Sequence, residues 1–404
     1  MVIDQAGTGV APVQWRLFVG FALVGAALSV FVGSRFGSQQ AALLALGIGL
    51  GVALFHSRFG FGSAWRQLVA VGQGAGLRAH AVLLGTTATL FALVIGTGTG
   101  LFGTTPTPSA GPLGVALLLG AFLFGIGMQL GGSCASGTLF AVGSGQGTIV
   151  LTLAGFIAGS VLYTAAFPLF VGLPSLPPVL LSEGLGRVGS WAVTIAALVV
   201  VVLVSRVVQA RRRPPPVERV PTAHGPARAL RGSWPLVVGA VVLAVLGAGV
   251  LLVSGGAWGI TSAFALWGAK LLQLLGGHPE AWAYWQQPAL ARSLAGPVLA
   301  DRTSVTDIGI VIGAAVAATA GGAWMLHREI PWRTAVAAVL GGVLMGVGAR
   351  LAGGCNIGAY LAGIASGSLS GWVWGVVALA GTWVGLRGRR LFGLANPTPE
   401  AAVC

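Results

Sequence analysis

Long apolar runs separated by short polar punctuation set the pattern of this chain. A helix needs ~20 apolar residues to cross a bilayer. Runs of about that length fall at about 15–33, 40–56, 78–98, 112–131, 147–171, 187–208, 233–254, 304–326, 334–351 and 368–386. They predict ten spanning helices. Four more apolar stretches, at about 60–74, 134–145, 259–275 and 355–366, are too short or too broken by glycine to span. Segments of that length are expected as re-entrant half-helices, tolerated at membrane depth where they pack within protein or line a cavity. The expected fold is therefore an all-α polytopic membrane protein.

The pattern is doubled. Gly125 to Gly137 reads GIGMQLGGSCASG and Gly346 to Gly358 reads GVGARLAGGCNIG, both fitting G-x-G-x-x-L-x-G-x-C-x-x-G. The offset that separates Cys134 from Cys355 also separates the glycines around them, so two whole blocks match in register. Upstream, Gly60 to Trp65 (GFGSAW) is echoed by Gly259 to Phe264 (GITSAF) at a shorter offset, the longer loop at 276–303 supplying the difference. Each half reads helix, half-helix, two helices, half-helix, helix. Residues 40–208 form the first repeat and 233–386 the second, with an extra N-terminal helix in 1–39, an Arg/Pro-rich linker at 209–232 and a tail at 387–404. The first run has no convincing small-residue cleavage site after it and is expected to be a retained helix.

Composition agrees: 55% of residues are hydrophobic and 7% charged, against ~25% charged in soluble domains. Twenty-two basic and eight acidic residues give a net charge of +14. On a soluble protein that would suggest nucleic acid. Here Arg211, Arg212, Arg213, Arg219, Arg228 and Arg231 crowd the linker, and Arg387, Arg389 and Arg390 follow the last run. No basic patch interleaves aromatic residues, so nucleic acid is discounted and these arginines read as cytoplasmic, positive-inside segments.

With the linker in the cytoplasm, counting crossings puts both termini there and 16 basic residues inside. Six (Arg35, Arg187, Lys270, Arg292, Arg302, Arg350) fall outside. The same count starts the two repeats on opposite sides. Inverted repeats whose broken helices meet at mid-bilayer are a transporter and channel architecture.

The cysteine motifs look like tight turns opening half-helices. Gly132 and Gly137 flank Cys134 as Gly353 and Gly358 flank Cys355, and glycine lets the backbone turn sharply and a ligand approach main-chain N–H groups. A half-helix starting at each cysteine would aim its positive dipole end at the midplane, which favours a small anion. The neighbours Ser133, Asn356, Ser136, Thr138 and Gln129 are neutral hydrogen-bonding groups with no carboxylate among them. A thiolate would repel an anion, so a neutral thiol, a weak S–H donor to a polarizable sulfur atom, is the consistent state.

The doubled cysteine blocks, the upstream G-[FI]-[GT]-S-A-[WF] blocks and the inverted arrangement resemble the YeeE/YedE sulfur-transport family, over about residues 40 to 386. The resemblance implies a bacterial inner-membrane permease, not an enzyme, in which cysteines lining a narrow central path pass thiosulfate on by S–H to sulfur hydrogen bonds. By motif match that role falls on Cys134 and Cys355. Thiosulfate-transporting relatives carry a further cysteine in the first short-helix motif, where this chain has Gly62 and Thr261. A cytoplasmic TusA-like sulfurtransferase partner is implied as well.

Two rival functions stay open: a membrane thiol carrier that hands sulfane sulfur to a cytoplasmic sulfurtransferase, and a thiol redox sensor. No cofactor is expected. Neither motif has the histidine or acidic neighbours that a zinc or copper site recruits. Arg350, five residues before Cys355, is a candidate substrate funnel with Lys270, although a snorkelling anchor explains either. Arg66 and Arg78 could serve on the inner side. Trp65, Trp258, Trp267, Trp372 and Trp374 are expected in interfacial belts. No intramembrane carboxylate stands out to couple transport to an ion.

Overall fold

A computed structural model describes residues 11–215 and 225–398 of the chain. Pro216, Arg219 and Cys404, and with them part of the linker and the end of the tail, lie outside the described residues. The first half holds α1 (Trp15–Phe36), α2 (Ser38–Ser57), α3 (Phe61–Val71), α4 (Ala75–Thr97), α5 (Val115–Leu130), α6 (Ala135–Gly143), α7 (Gly147–Ala166) and α8 (Leu181–Arg212). A single turn, α9 (Arg228–Arg231), leads to α10 (Leu236–Ser254), α11 (Thr261–Leu274), α12 (Pro288–Ala295), α13 (Arg302–Ala320) and α14 (Trp332–Leu351). A π-helical segment (Asn356–Leu361) continues into α15 (Ala362–Ala365), and α16 (Leu369–Arg389) ends the bundle. Among the described residues the strands are two residues long, β1 (Leu113–Gly114) pairing antiparallel with β2 (Ser175–Leu176).

Ten segments, built on α1, α2, α4, α5, α7, α8, α10, α13, α14 and α16, are long and apolar enough to cross a membrane. The ten spans read from hydropathy are these helices. The four short apolar stretches are α3, α6, α11 and the π-helical segment with α15. Residues 276–303, read as a loop, contain α12.

Helix starts follow local chemistry. Pro331 and Pro235 stand just before α14 and α10, where a residue lacking an N–H breaks no helical hydrogen bond. The Asp301 side chain accepts from Ser304 N–H at 2.8 Å, capping α13.

Glycine governs how the helices meet. A β-carbon on Gly125 would overlap the Ala378 carbonyl, and one on Gly381 the Phe122 carbonyl, so α5 and α16 touch backbone to backbone. Gly342 and Gly346 of α14 meet Thr152 and Phe156 of α7 in the same way. Such close approach maximises van der Waals contact where lipid gives no hydrophobic drive between helices. The main pairings come in twos with the halves exchanged: α2 packs on α13 as α10 packs on α4, and α16 packs on α5 as α7 packs on α14. The α5 and α14 helices, which carry the two cysteine motifs at their ends, pack on each other.

The core is aromatic at its centre. Phe156 lies 4.9 Å from Phe264 and Phe124 lies 5.4 Å from Trp374, centroid to centroid. Trp65, Trp258 and Trp374 are at most 2% exposed, which corrects the interfacial placement expected for them. Trp65 follows the inward-turning Gly60 motif and Trp258 precedes the matching Gly259, so their position in sequence near a span end does not bring them to the surface. Trp267 and Trp372 are partly buried.

Candidate functional site

Cys134 and Cys355 occupy the same local structure. Each is extended (φ −85°, ψ −177° and φ −99°, ψ −165°) and stands at the N-cap of a short helix, α6 for Cys134 and the π-helical segment for Cys355. Two residues earlier Gly132 and Gly353 have φ of +80° and +72°, a region that costs a residue with a β-carbon roughly 1–2 kcal/mol. The chain turns there from the long helix into the short one. Both of these glycines are exposed, whereas the cysteines are 1% and 0% exposed.

Helical hydrogen bonds begin at the cysteines, Thr138 N–H donating to the Cys134 carbonyl at 2.8 Å and Ala359 N–H to the Cys355 carbonyl at 2.9 Å. Gly137 leaves room for the thiol: a β-carbon there would overlap the Ser133 hydroxyl and lie 3.2 Å from Cys134 Sγ. Its counterpart Gly358 faces Gly259, with 3.8 Å between a β-carbon on Gly358 and the Gly259 Cα.

Both thiols are free. Cys134 Sγ is 3.6 Å from Ser136 Oγ, and the backbone N–H groups of Ile357 and Gly358 lie close to the Cys355 sulfur. Cys134 lies within electrostatic reach of Cys355, and α6 packs against the π-helical segment. The fold thus brings together two thiols that belong to opposite halves of the sequence. Asn356, next in the chain, is 1% exposed, and neither its amide oxygen nor its nitrogen has a hydrogen-bond partner in the protein.

On one side the Cys355 motif borders a cavity of about 310 Å³ lined by Thr261, Arg302, Arg350, Gly353, Gly354 and Gly358 among others, with no acidic side chain in its wall. Arg350 is held there by Thr261 Oγ1 at 2.7 Å and Tyr284 OH at 3.4 Å. Lys270, grouped with Arg350 on sequence grounds, lies further along α11 outside this wall, and Arg302 is the second cation lining it.

At the Cys134 motif Arg66 Nε donates to Gln129 Oε1 at 3.0 Å and its Nη2 to the Gly132 carbonyl at 3.4 Å. Arg389 Nη1 donates to the Gln129 carbonyl at 2.7 Å. Ser133 is partly exposed beside Gly132. Sequence reading missed three of these groups: Arg302, Arg389 and a buried carboxylate, Asp307 of α13, 0% exposed. A lone acidic residue inside the apolar run 303–310 was the available clue, and Asp307 is a buried carboxylate that did not stand out in the sequence.

A bundle of ten helices apolar enough to cross a membrane, packed around two buried, free thiols with an arginine-lined cavity bordering the motif of one, is that of a multi-pass membrane protein. The family model described as sulphur transport matches residues 56–384, and the chain belongs to that family. It is 32% identical to the probable transporter YedE of Escherichia coli over 160 residues, which are 38% of this chain and 39% of that protein. The chain thus spans about two fifths of that relative's length in the matched region. It is also 41% identical over 76 residues to the thiosulfate transporter TsuA of Spirochaeta thermophila, 19% of this chain and 23% of that protein. With the Escherichia coli thiosulfate transporter TsuA it shares 27% identity over 281 residues, 66% of this chain and 72% of that one.

Proposed function

We propose that the protein is an inner-membrane permease that takes up a small sulfur-containing anion, thiosulfate first among them, through a constriction lined by Cys134 and Cys355. The observation that carries this reading is that two free, buried thiols each head a short helix and that these two short helices pack against each other. N–H groups at the two helix starts and two neutral S–H groups suit a dianion with a polarizable terminal sulfur. The Arg302 and Arg350 cavity gathers the anion outside, and Gly132, Gly137, Gly353 and Gly358 keep the path clear of side chains. Ser133 and Asn356 supply hydrogen bonds beside it.

The exchanged helix pairings favour two repeats of opposite orientation, with α3, α6, α11 and the π-helical segment as re-entrant half-helices from opposite faces. The arginines of the linker favour a cytoplasmic position for it and for both termini. A TusA-like sulfurtransferase would receive the sulfur there. Thiosulfate is named by two relatives, and this chain would handle it with two path cysteines, Gly62 and Thr261 standing where a third would be.

Uptake of labelled thiosulfate by the parent protein and by Cys134→Ala and Cys355→Ala tests this. Normal transport by both inserted variants would sink the cysteine path. A persulfide on either thiol after exposure to substrate would favour a sulfur carrier instead, and a disulfide between them a redox sensor.

A further inference from the structure

Asp307 lies on α13 about a third of the way from its Arg302 end, 0% exposed, and neither carboxylate oxygen has a hydrogen-bond partner in the protein. Val311, one turn further on, packs against Gly143 of α6. Residues four apart share a helix face, so Asp307 is turned toward α6, the helix headed by Cys134. It is also within electrostatic reach of Cys355. Asn356, with both amide atoms equally unpartnered, is the neighbouring residue to that thiol. Polar groups buried without partners are rare and costly; here one adjoins Cys355 in the chain and the other, on α13, is within electrostatic reach of that thiol.

Among the described residues no cation neutralises Asp307. Of the elements packed on α13, α1 carries Arg16 and Arg35, α2 His56, α9 Arg228 and Arg231, and α11 Lys270. The ion pair found among the described residues joins His278 to Glu280 and involves none of these. Among the described residues the titratable groups within electrostatic reach of Asp307 are Asp301 and Cys355.

We propose that Asp307 is a proton-binding site that couples anion passage at Cys355 to proton movement in the same direction, which rests on the anion permease reading above. A carboxylate and a dianion cannot share a dry, low-dielectric site, since each raises the cost of the other's charge. Occupation of the cysteine site by the anion therefore requires the Asp307 carboxyl to hold a proton, and departure of the anion frees it to release that proton. The direction has a use. A dianion entering an inside-negative cell moves two charges against the membrane potential, and one accompanying proton removes half of that opposing work.

The test uses the full chain in proteoliposomes with labelled thiosulfate outside and a pH-reporting dye inside. In the parent, thiosulfate influx should acidify the lumen, and an inward gradient of one pH unit should raise steady-state accumulation about tenfold, the ratio for one coupled proton. Asp307→Asn should bring the ratio with and without the gradient to near one, and Asp307→Glu should restore a gradient response. Parent transport with no proton movement, a gradient response kept by Asp307→Asn, or accumulation that follows sodium and ignores pH would each overturn the coupling. Failure of the parent to exchange labelled for unlabelled thiosulfate would instead overturn the permease reading. Infrared difference spectra of the parent against Asp307→Asn read the proton directly, without transport: a protonated-carboxyl band that shifts in heavy water is expected, and its absence overturns the site.

Discussion

Arg350 Nη2 donates to the Thr261 hydroxyl at 2.7 Å, and at the matching place in the first half the Gln129 amide donates to the Gly62 carbonyl at 3.2 Å. Both pairs join the residue five before a motif cysteine to the third residue of the upstream short-helix motif. The same two positions meet in both halves, but the accepting atom and the charge differ. In the first half Arg66 and Arg389 bring positive charge onto Gln129 from other elements, whereas in the second Arg350 itself carries it into the cavity.

Arg350→Gln should therefore act on anion capture. Hydrogen bonds to a charged group contribute about 1.5–3 kcal/mol, so KM for thiosulfate should rise roughly ten- to a hundredfold, with a smaller change in kcat. Arg350→Lys should recover part of the loss, because it keeps the charge without holding Thr261 and Tyr284 together. Uptake measured across substrate concentrations decides this, and an unchanged KM would mean that Arg350 only anchors its helix.

Cys134→Ala and Cys355→Ala should each cut labelled thiosulfate uptake at least about tenfold, the scale of one lost hydrogen bond of about 1.4 kcal/mol at a narrow point. Serine at either position should fall between, since a hydroxyl donates but lacks the soft sulfur contact. Cys404→Ala, in the polar tail, should leave uptake unchanged.

Gly137→Ala puts a methyl group against Ser133 Oγ and Cys134 Sγ. Overpacking of this kind costs typically about 1–3 kcal/mol, and here it also moves the thiol, so transport should fall by more than the loss of folded protein explains. Removing the obstructing hydroxyl with Ser133→Ala in the same chain should return part of the activity. Equal uptake by single and double variants would show that the thiol position is not what Gly137 protects.

Gly125→Ala should lower thermal stability in detergent by about 1–3 kcal/mol, because its methyl group meets the Ala378 carbonyl, backbone that cannot swing aside. Gly20→Ala on α1, with nothing within 4 Å of the new methyl group, is the control and should be neutral or slightly stabilising, since alanine restricts the unfolded chain. Equal melting temperatures for the two variants would refute backbone contact between α5 and α16 as a source of stability.

Much of the fold and site is legible in the sequence because it rests on local chemistry. Apolar runs give the ten helices, since a bilayer demands length and internal hydrogen bonding of every span. The doubled motif marks Cys134 and Cys355, and glycine two residues before each marks a turn that only a residue without a β-carbon makes cheaply. Sequence position misleads where it stands in for depth. Nearness to span ends puts Trp65, Trp258 and Trp374 at membrane surfaces, yet they fill the core. The same reasoning pairs Lys270 with Arg350 as an outer cation, while the cavity wall holds Arg302.

The sequence by itself determined that the chain is an all-α membrane protein, doubled about two cysteines, because hydropathy, glycine spacing and repetition act over a few residues at a time. Tertiary structure decided which groups meet. Helices touching through glycine can slide together at many registers, and only the packed bundle selects the one that brings Cys134 within electrostatic reach of Cys355 and buries Asp307 within reach of Cys355 without a hydrogen-bond partner. Electrostatic contact depends on distance through space, and the distance between segments from opposite halves of the chain is fixed by packing alone.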